Sequence, residues 1–222
     1  MIVGNGLIAK KFKGIDGEKF IFFLSGVSNS LCEDSDQFKR ETQLIKFYIK
    51  KYPEKTIIYL STTSIEYKKT KYTDHKKEIE GILENSKVNH YIFRIPQIIG
   101  FGGNENNFFN FIAKKIKNGL EFKAYDTYRS VIDLDDLSKI IKFLIENNPP
   151  GKYNFYGIEF IKVLDFIHLL EKKIGKKGNY KIIKIKEKNI KKNSKEIQKC
   201  FESINLNFKN YHGRLIEKYI NS

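Results

Sequence analysis

Apolar residues gather in short runs with little polar alternation: Ile2-Val3, Phe20-Ile-Phe-Phe-Leu24, Ile57-Ile-Tyr-Leu60, Tyr91-Ile-Phe93 and Tyr153 to Tyr156. Runs too short for a helix and apolar on both parities predict strands buried on both faces, near residues 1–5, 20–26, 56–62, 90–95 and 152–157. Between them the period lengthens. Gln37 to Lys51 brings Phe38, Leu44, Ile45 and Tyr48 to one side of a helix, and a second helix begins within Lys76 to Leu83. Residues 106–118 and 136–146 read as further helices, the latter stopped by Asn-Asn-Pro-Pro-Gly at 147–151. From Lys162 to Ile174 the pattern is again helical. The lysine-rich stretch 176–195 keeps enough isoleucine to be structured and leads into helices near 194–204 and 212–221. Buried strands alternating with helices predict an α/β fold around a parallel sheet with helices on both faces.

Gly4-x-Gly6-x-x-Ala9 follows the first strand directly. Glycines there let backbone approach a pyrophosphate while a helix N-terminus faces its charge, so the pattern predicts a Rossmann-like, dinucleotide-binding start. Such a start calls for an acidic residue about 20 positions on, at the end of a second strand, to hold the adenosine ribose. Lys10 to Lys19 contains no strand, and its acidic residues are Asp16 and Glu18. The predicted sheet therefore lacks the usual second and third strands, and weak or altered adenosine binding is expected.

The third apolar run ends in hydroxyls, Leu60-Ser-Thr-Thr-Ser64, and Tyr72-Thr-Asp-His-Lys76 opens a helix soon after. A tyrosine and a lysine four apart share a helix face, where the ammonium can lower the phenol pKa and a strand-end hydroxyl can orient a substrate oxygen. Tyr-x-x-x-Lys also occurs at Tyr67/Lys71 and Tyr180/Lys184, so the pattern alone discriminates little in a chain so rich in both residues. Only the Tyr72 pair follows a hydroxyl-rich strand end and runs on into a helix. Ser61, Thr62 and Ser64 read as strand-end caps, and His75 as solvent-facing or a local cap. Arg94 is expected to partner a neighbouring carboxylate. Arg129 could hold a diphosphate or pair with Asp133, and Asp135 and Asp136 are expected to cap the helix that begins there.

Charge narrows the partners. The net charge is +15, and all but four of the 41 basic residues are lysine. Readers of bases and phosphates favour the arginine fork, so the surplus reads as a solvated surface and not as a nucleic-acid footprint. Cys32 and Cys200 stand far apart without metal-ligand spacing, which predicts a reduced, metal-free protein. No run is long enough for a membrane span and the chain opens on a strand, so a cytoplasmic location is expected.

Taken in order, these segments resemble the extended short-chain dehydrogenase/reductase superfamily, in its NAD-dependent epimerase/dehydratase branch acting on nucleotide sugars. Gly6-Leu-Ile-Ala9 is similar to that family's Gly-Phe-Ile-Gly, Leu60-Ser-Thr-Thr63 to its Ser-Ser-Ser strand end, and Tyr72 to Leu83 to its Tyr-x-x-x-Lys helix. His90 to Gly102 resembles the Arg-x-x-Asn-x-Tyr-Gly-Pro-Gly strand that leads into the substrate lobe. Arg129 to Asp136 resembles the Arg-Asp-Phe-x-x-Val-Asp-Asp signature, and Tyr153 to Gly157 the returning strand.

The resemblance implies a truncated dinucleotide-binding core over residues 1–100, completed by the returning strand 152–157, and a small substrate lobe making up most of 101–222. It implies that Gly4, Gly6, Leu7, Ile8, Ala9 and Ser25 line an NAD or NADP site and that Lys76 holds the nicotinamide ribose. Tyr72 would be the acid/base, Thr63 would orient the substrate, and Arg129 would contact a nucleotide phosphate. The expected activity is NAD(P)-dependent reduction or epimerisation of a nucleotide-activated sugar, in the synthesis of surface polysaccharide precursors. The alternative is a degenerate member that binds a nucleotide sugar or a protein partner without turnover. Family members often dimerise through helices that here fall near 37–51 and 76–87, so a homodimer is expected. Two departures stand out: Thr63 and Tyr72 are unusually close in sequence, and Glu41 stands where the family helix usually carries Asn.

Overall fold

A computed structural model describes residues 1–14, 17–102, 107–185 and 191–220. Its strands are β1 (Ile2–Val3), β2 (Phe20–Phe23), β3 (Thr56–Thr62), β4 (His90–Ile95), β5 (Gln97–Ile99), β6 (Phe122–Asp126), β7 (Tyr128–Asp133), β8 (Gly151–Asn154), β9 (Phe160–Lys162) and β10 (Tyr180–Lys184). The helices are α1 (Leu7–Phe12), α2 (Ser35–Lys51), α3 (Lys71–Glu84), α4 (Phe108–Lys117), α5 (Leu134–Asn147), α6 (Val163–Ile174), α7 (Lys195–Ser203) and α8 (Tyr211–Ile220). A 3-10 turn, Thr63–Glu66, follows β3.

The central sheet has the order β1-β2-β3-β4-β8, and every pair in it is parallel. The five apolar runs read from the sequence supply these strands. Among the described residues no strand lies beyond β1, where the second and third strands of a full dinucleotide-binding sheet would pair. Asp16 lies outside the described residues.

Parity divides the side chains between two cores. Ile21, Phe23, Ile57, Tyr59 and Ile92 face α2 and α3, packing with Ile45, Ile79 and Leu83. Phe22, Ile58, Tyr91 and Phe93 face the other way, toward Phe12 of α1 and Leu137, Ile140, Ile141 and Leu144 of α5. This arrangement has a topological consequence. β1-α1-β2 and β2-α2-β3 step in the same direction across the sheet, yet α1 packs on one face through Phe12 against Phe22, and α2 on the other through Tyr48 against Phe23. Parallel crossovers on opposite faces have opposite hands. α3 shares the face of α2, and α5, on the way from β4 to β8, shares the face of α1, so the parallel crossovers of this sheet divide between its two faces. The chain also leaves the C-terminal ends of β1 and β2 toward opposite faces, the switch point at which a doubly wound sheet carries its ligand crevice.

The C-terminal lobe holds two small sheets, β5-β7-β9 and the parallel pair β6-β10. α4, α6, α7 and α8 close around them and extend the Phe12/Phe22 core into the lobe. The lysine-rich stretch does contain structure, in β10. Of the three Tyr-x-x-x-Lys pairs, Tyr180/Lys184 spans that strand and Tyr67 precedes α3, so only Tyr72 and Lys76 both lie in a helix. The expected helix at 106–118 begins at Phe108, because Asn107 caps it; Asn106 lies outside the described residues. The described residues include no helix long and apolar enough to cross a membrane.

Candidate active site

Two glycines differ at the mouth of the crevice. Gly4 has φ +131°, and a Cβ there would meet Leu24 O at 2.6 Å, so the close approach of β1 to β2 requires glycine. Gly6, the N-cap of α1 at φ −71° and ψ −176°, would place a Cβ in open space. Ala9 is buried beneath it, and Leu7 and Ile8 are half-buried. Across the crevice, Ser25 is engaged by Arg40, whose guanidinium donates to Ser25 Oγ at 3.0 Å and to Ser25 O at 2.9 Å.

Gly26 marks where the crevice meets α2 and α3. A Cβ at this position would lie 2.7 Å from Glu41 Oε1 and 2.9 Å from Lys76 Nζ. Asp34 caps α2 by accepting from the Asp36 and Gln37 amides, and the stripe Phe38, Glu41, Ile45, Tyr48 then turns inward. Glu41 therefore enters the core and is fully buried. Four donors fill its oxygens. Oε1 accepts from Tyr59 Oη at 2.8 Å and from Lys76 Nζ at 3.0 Å. Oε2 accepts from the Val27 amide at 2.6 Å and from His75 Nε2 at 3.0 Å. A carboxylate only accepts, so the His75 proton sits on Nε2, and Nδ1 is left buried without a hydrogen-bond partner.

Lys76 is as enclosed as its partner. Beyond Glu41 it donates to Tyr59 Oη at 3.0 Å, which uses two of its three N–H groups. Burial opposes the Glu41 charge, yet the Lys76 ammonium together with the His75 and Val27 hydrogen bonds holds this carboxyl down at about 2. For Lys76 the balance runs the other way: burial draws the amine below its ordinary range, with Glu41 resisting.

Tyr72 shares a helix face with Lys76, and the ammonium lies 5.7 Å from its ring centroid. The tyrosine is covered by Val27, Cys32 and Phe38. The expected lowering of its phenol pKa does not occur. Burial pushes it up and the Glu41 charge adds to the rise, because the ammonium is committed to Glu41 and Tyr59. His75 likewise departs from the solvent-facing role expected of it: it is buried, stacked on Phe38 and bonded to Glu41.

Thr63 opens the 3-10 turn, half-buried, with Oγ1 donating to Ile95 O at the end of β4 at 3.4 Å. Thr62 is the cap of that turn, as expected. Ser61 instead points with Tyr59 parity toward α3 and donates to Glu80 at 2.6 Å. Arg94 meets the same carboxylate through Nε and Nη2, at 2.9 and 2.5 Å, the structural pairing expected of it.

The lobe presents a different environment around Arg129. Arg129 Nε, Ser130 Oγ, Gln97 Oε1 and Asn154 Oδ1 are all buried without hydrogen-bond partners. Gln97 of β5 pairs with Val131 beside Ser130 on β7. A Cβ on Gly157 would fall on Ser130 Oγ, which brings the chain just after Asn154 onto the same strand. Burial lowers the Arg129 pKa with no carboxylate to offset it, and the guanidinium stacks over Phe108 at 6.0 Å. Asp133 is not its partner. Asp133 accepts from Lys218 at 2.8 Å and also caps α5 through the Asp135 amide, so Asp135 and Asp136 occupy the first helical turn instead of the cap.

Three residues were not anticipated as parts of the site: Gly26, Tyr59 and the buried pairing role of Glu41. The signal for Glu41 was a carboxylate interrupting an apolar stripe, and for Tyr59 a phenol on the strand parity that faces α2 and α3.

No protein-family model matches the chain, and no curated protein matches it. Solved structures do. UDP-glucuronic acid 4-epimerase from Bacillus cereus, in complex with UDP-glucuronic acid and NAD, is 18% identical with a TM-score of 0.68, over 96% of this chain and 79% of that one. UDP-N-acetylglucosamine 4-epimerase from Methanobrevibacter ruminantium, in complex with UDP-N-acetylmuramic acid, is 13% identical with a TM-score of 0.69, over 98% and 80%. RMD from Pseudomonas aeruginosa, complexed with NADPH, is 14% identical with a TM-score of 0.65, over 90% and 80%. At these identities the likeness establishes the fold: a Rossmann-like α/β sheet with a C-terminal lobe.

Proposed function

We propose that the protein is an NAD(P)-dependent enzyme that reduces or epimerises a nucleotide-activated sugar. The observation that carries this reading is Lys76, a buried ammonium at a glycine-bordered crevice with Tyr72 on the same helix face and one N–H uncommitted. The residues present fit half of a nicotinamide dinucleotide. Gly4 and Gly6 bring bare backbone to the crevice where a pyrophosphate would lie, and the free Lys76 donor suits a ribose hydroxyl. For the adenosine half, β1 is the sheet edge and no further strand among the described residues carries a ribose-binding carboxylate. Such a cofactor supplies hydride transfer when bound.

The chain's own residues would do the rest. Tyr72 is kept protonated by burial and by Glu41, which suits donation of a proton to a carbonyl oxygen and so favours the reductive direction. Thr63 offers a hydroxyl to orient that oxygen. Arg129, with Gln97 on the same face of the β5-β7 pair, offers a cation with a buried unpaired Nε and an unpaired amide to a nucleotide diphosphate. The Bacillus cereus epimerase, solved with a UDP-sugar and NAD on this fold, supports the same ligand classes.

Calorimetric titration with NAD, NADH, NADP and NADPH, then with UDP- and dTDP-sugars, tests the reading. Micromolar binding of one dinucleotide is the expected result. The bare edge at β1 favours a second reading, a binder of nucleotide sugars without turnover. Sugar nucleotide binding with no dinucleotide binding would decide for it.

A further inference from the structure

Lys76 is faced by Glu41 from α2, by Tyr59 from β3, by Tyr72 and Glu80 from its own helix, and by the Gly26 backbone from the turn after β2. The nearby cation Arg40 is committed to Ser25. Glu41 is thus the carboxylate bonded directly to this ammonium, and the turn beside the pair is occupied by the residue whose missing side chain leaves it room. A buried ion pair contributes weakly to stability compared with apolar residues of the same volume, and α2 would complete an apolar stripe without Glu41.

We propose that Glu41 is a positioning residue, which fastens the Lys76 ammonium at the crevice with a single N–H left for a ligand hydroxyl. Glu41 Oε1 and Tyr59 Oη take two donors from one side, so the third has one direction to go. The Val27 amide and His75 in turn fix the other carboxylate oxygen, tying the lysine's position to the turn that borders the crevice. Glu41 also keeps the amine charged against the pull of burial. The ligand side of this role rests on the dinucleotide reading above.

The first readout needs no ligand: titration of the Lys76 13Cε resonance in the apoprotein, assigned by its loss in Lys76→Met. In Glu41→Gln the midpoint is expected to fall by at least about one pH unit, since the opposing charge is gone and burial remains. The second is dinucleotide affinity. Glu41→Gln is expected to bind about tenfold more weakly above its own Lys76 midpoint and to recover below it, where the amine regains its proton. In the Lys76→Met background the same substitution is expected to change affinity less than about twofold.

An unshifted Lys76 midpoint in Glu41→Gln would overturn the proposal, as would an equal loss of affinity in the Lys76→Met background. If Glu41→Gln does not fold, Gly26→Ala approaches the pair from the other side, and its methyl group is expected to move the Lys76 midpoint in the same direction. A wild-type protein that binds no dinucleotide would sink the functional reading, and the Lys76 titration would still decide whether Glu41 holds the lysine.

Discussion

Lys76 is a buried cation and Arg129 a half-buried one whose Nε is enclosed, and the fold treats them in opposite ways. Lys76 has a fully buried carboxylate at 3.0 Å and a phenol at 3.0 Å, and that carboxylate has every acceptor position filled. Arg129 has an aromatic ring and an Nε without a hydrogen-bond partner. A buried charge without a partner is costly to fold. The chain has therefore completed one site internally and left Arg129 Nε without a protein partner. Under the proposed function, this difference would separate a residue held for orientation from one held for binding.

Removing each cation separates them most sharply. Lys76→Met strands the Glu41 carboxylate and should destabilise the protein by about 3–5 kcal/mol in urea or thermal unfolding. Glu41→Gln combined with Lys76→Met should restore most of that stability. Arg129→Met removes an uncompensated charge and should leave apoprotein stability within about 1 kcal/mol, or raise it. Equal losses from the two single substitutions would erase the contrast.

Acid unfolding probes the completed site alone. The Glu41 carboxyl is held at about 2 when folded, against an ordinary 4.5. Its contribution is present above pH 4.5 and is lost as pH falls toward 2, by at most about 3 kcal/mol. Lys76 works against it, because burial lowers the amine and reduces the stability of the pair at neutral pH. The acid limb of a stability-pH curve should therefore flatten in Glu41→Gln, and an unchanged limb would contradict the geometry described for this carboxylate.

Binding probes the incomplete site. Charged hydrogen bonds to a diphosphate contribute about 1.5–3 kcal/mol each, so Arg129→Met should weaken a UDP-sugar by about 10- to 100-fold by calorimetry. Lys76→Met, which acts at the crevice, should affect the sugar nucleotide far less than it affects a dinucleotide.

Much of the core was legible in the sequence, because buried parallel strands give apolar runs on both parities and α2 gives a regular inward stripe. The strands β5, β6, β7, β9 and β10 were not, since they are short, mix polar with apolar residues and depend on partners distant in the chain. The division of the helices between the two faces was also hidden: it follows from sheet order, which no local pattern encodes. Glu41 was visible as a departure from the Asn of the family that the sequence resembles, but its bond to Lys76 depends on how far α2 sits above β3. His75 was misjudged because its partner comes from another helix. For Arg129 the sequence admits both a diphosphate and Asp133, and the structure removes the second option by giving Asp133 to Lys218.

The smallest stability effect carries its own argument about the crevice. Glycines in a strand-to-helix turn can serve the fold alone, and Gly4 does: its positive φ and its contact with Leu24 O forbid a side chain. Gly6 is different. Its backbone angles are ones any residue adopts, and a methyl group there would touch nothing within 4 Å. Gly6→Ala should therefore change stability by no more than about 0.5 kcal/mol. If the turn serves only the fold, nothing else should change. If it faces a pyrophosphate, the added methyl group occupies the approach of the phosphates, and dinucleotide affinity should fall about tenfold while UDP-sugar affinity stays within about twofold. Unchanged dinucleotide affinity in Gly6→Ala would mean that the crevice is not where phosphates meet this backbone.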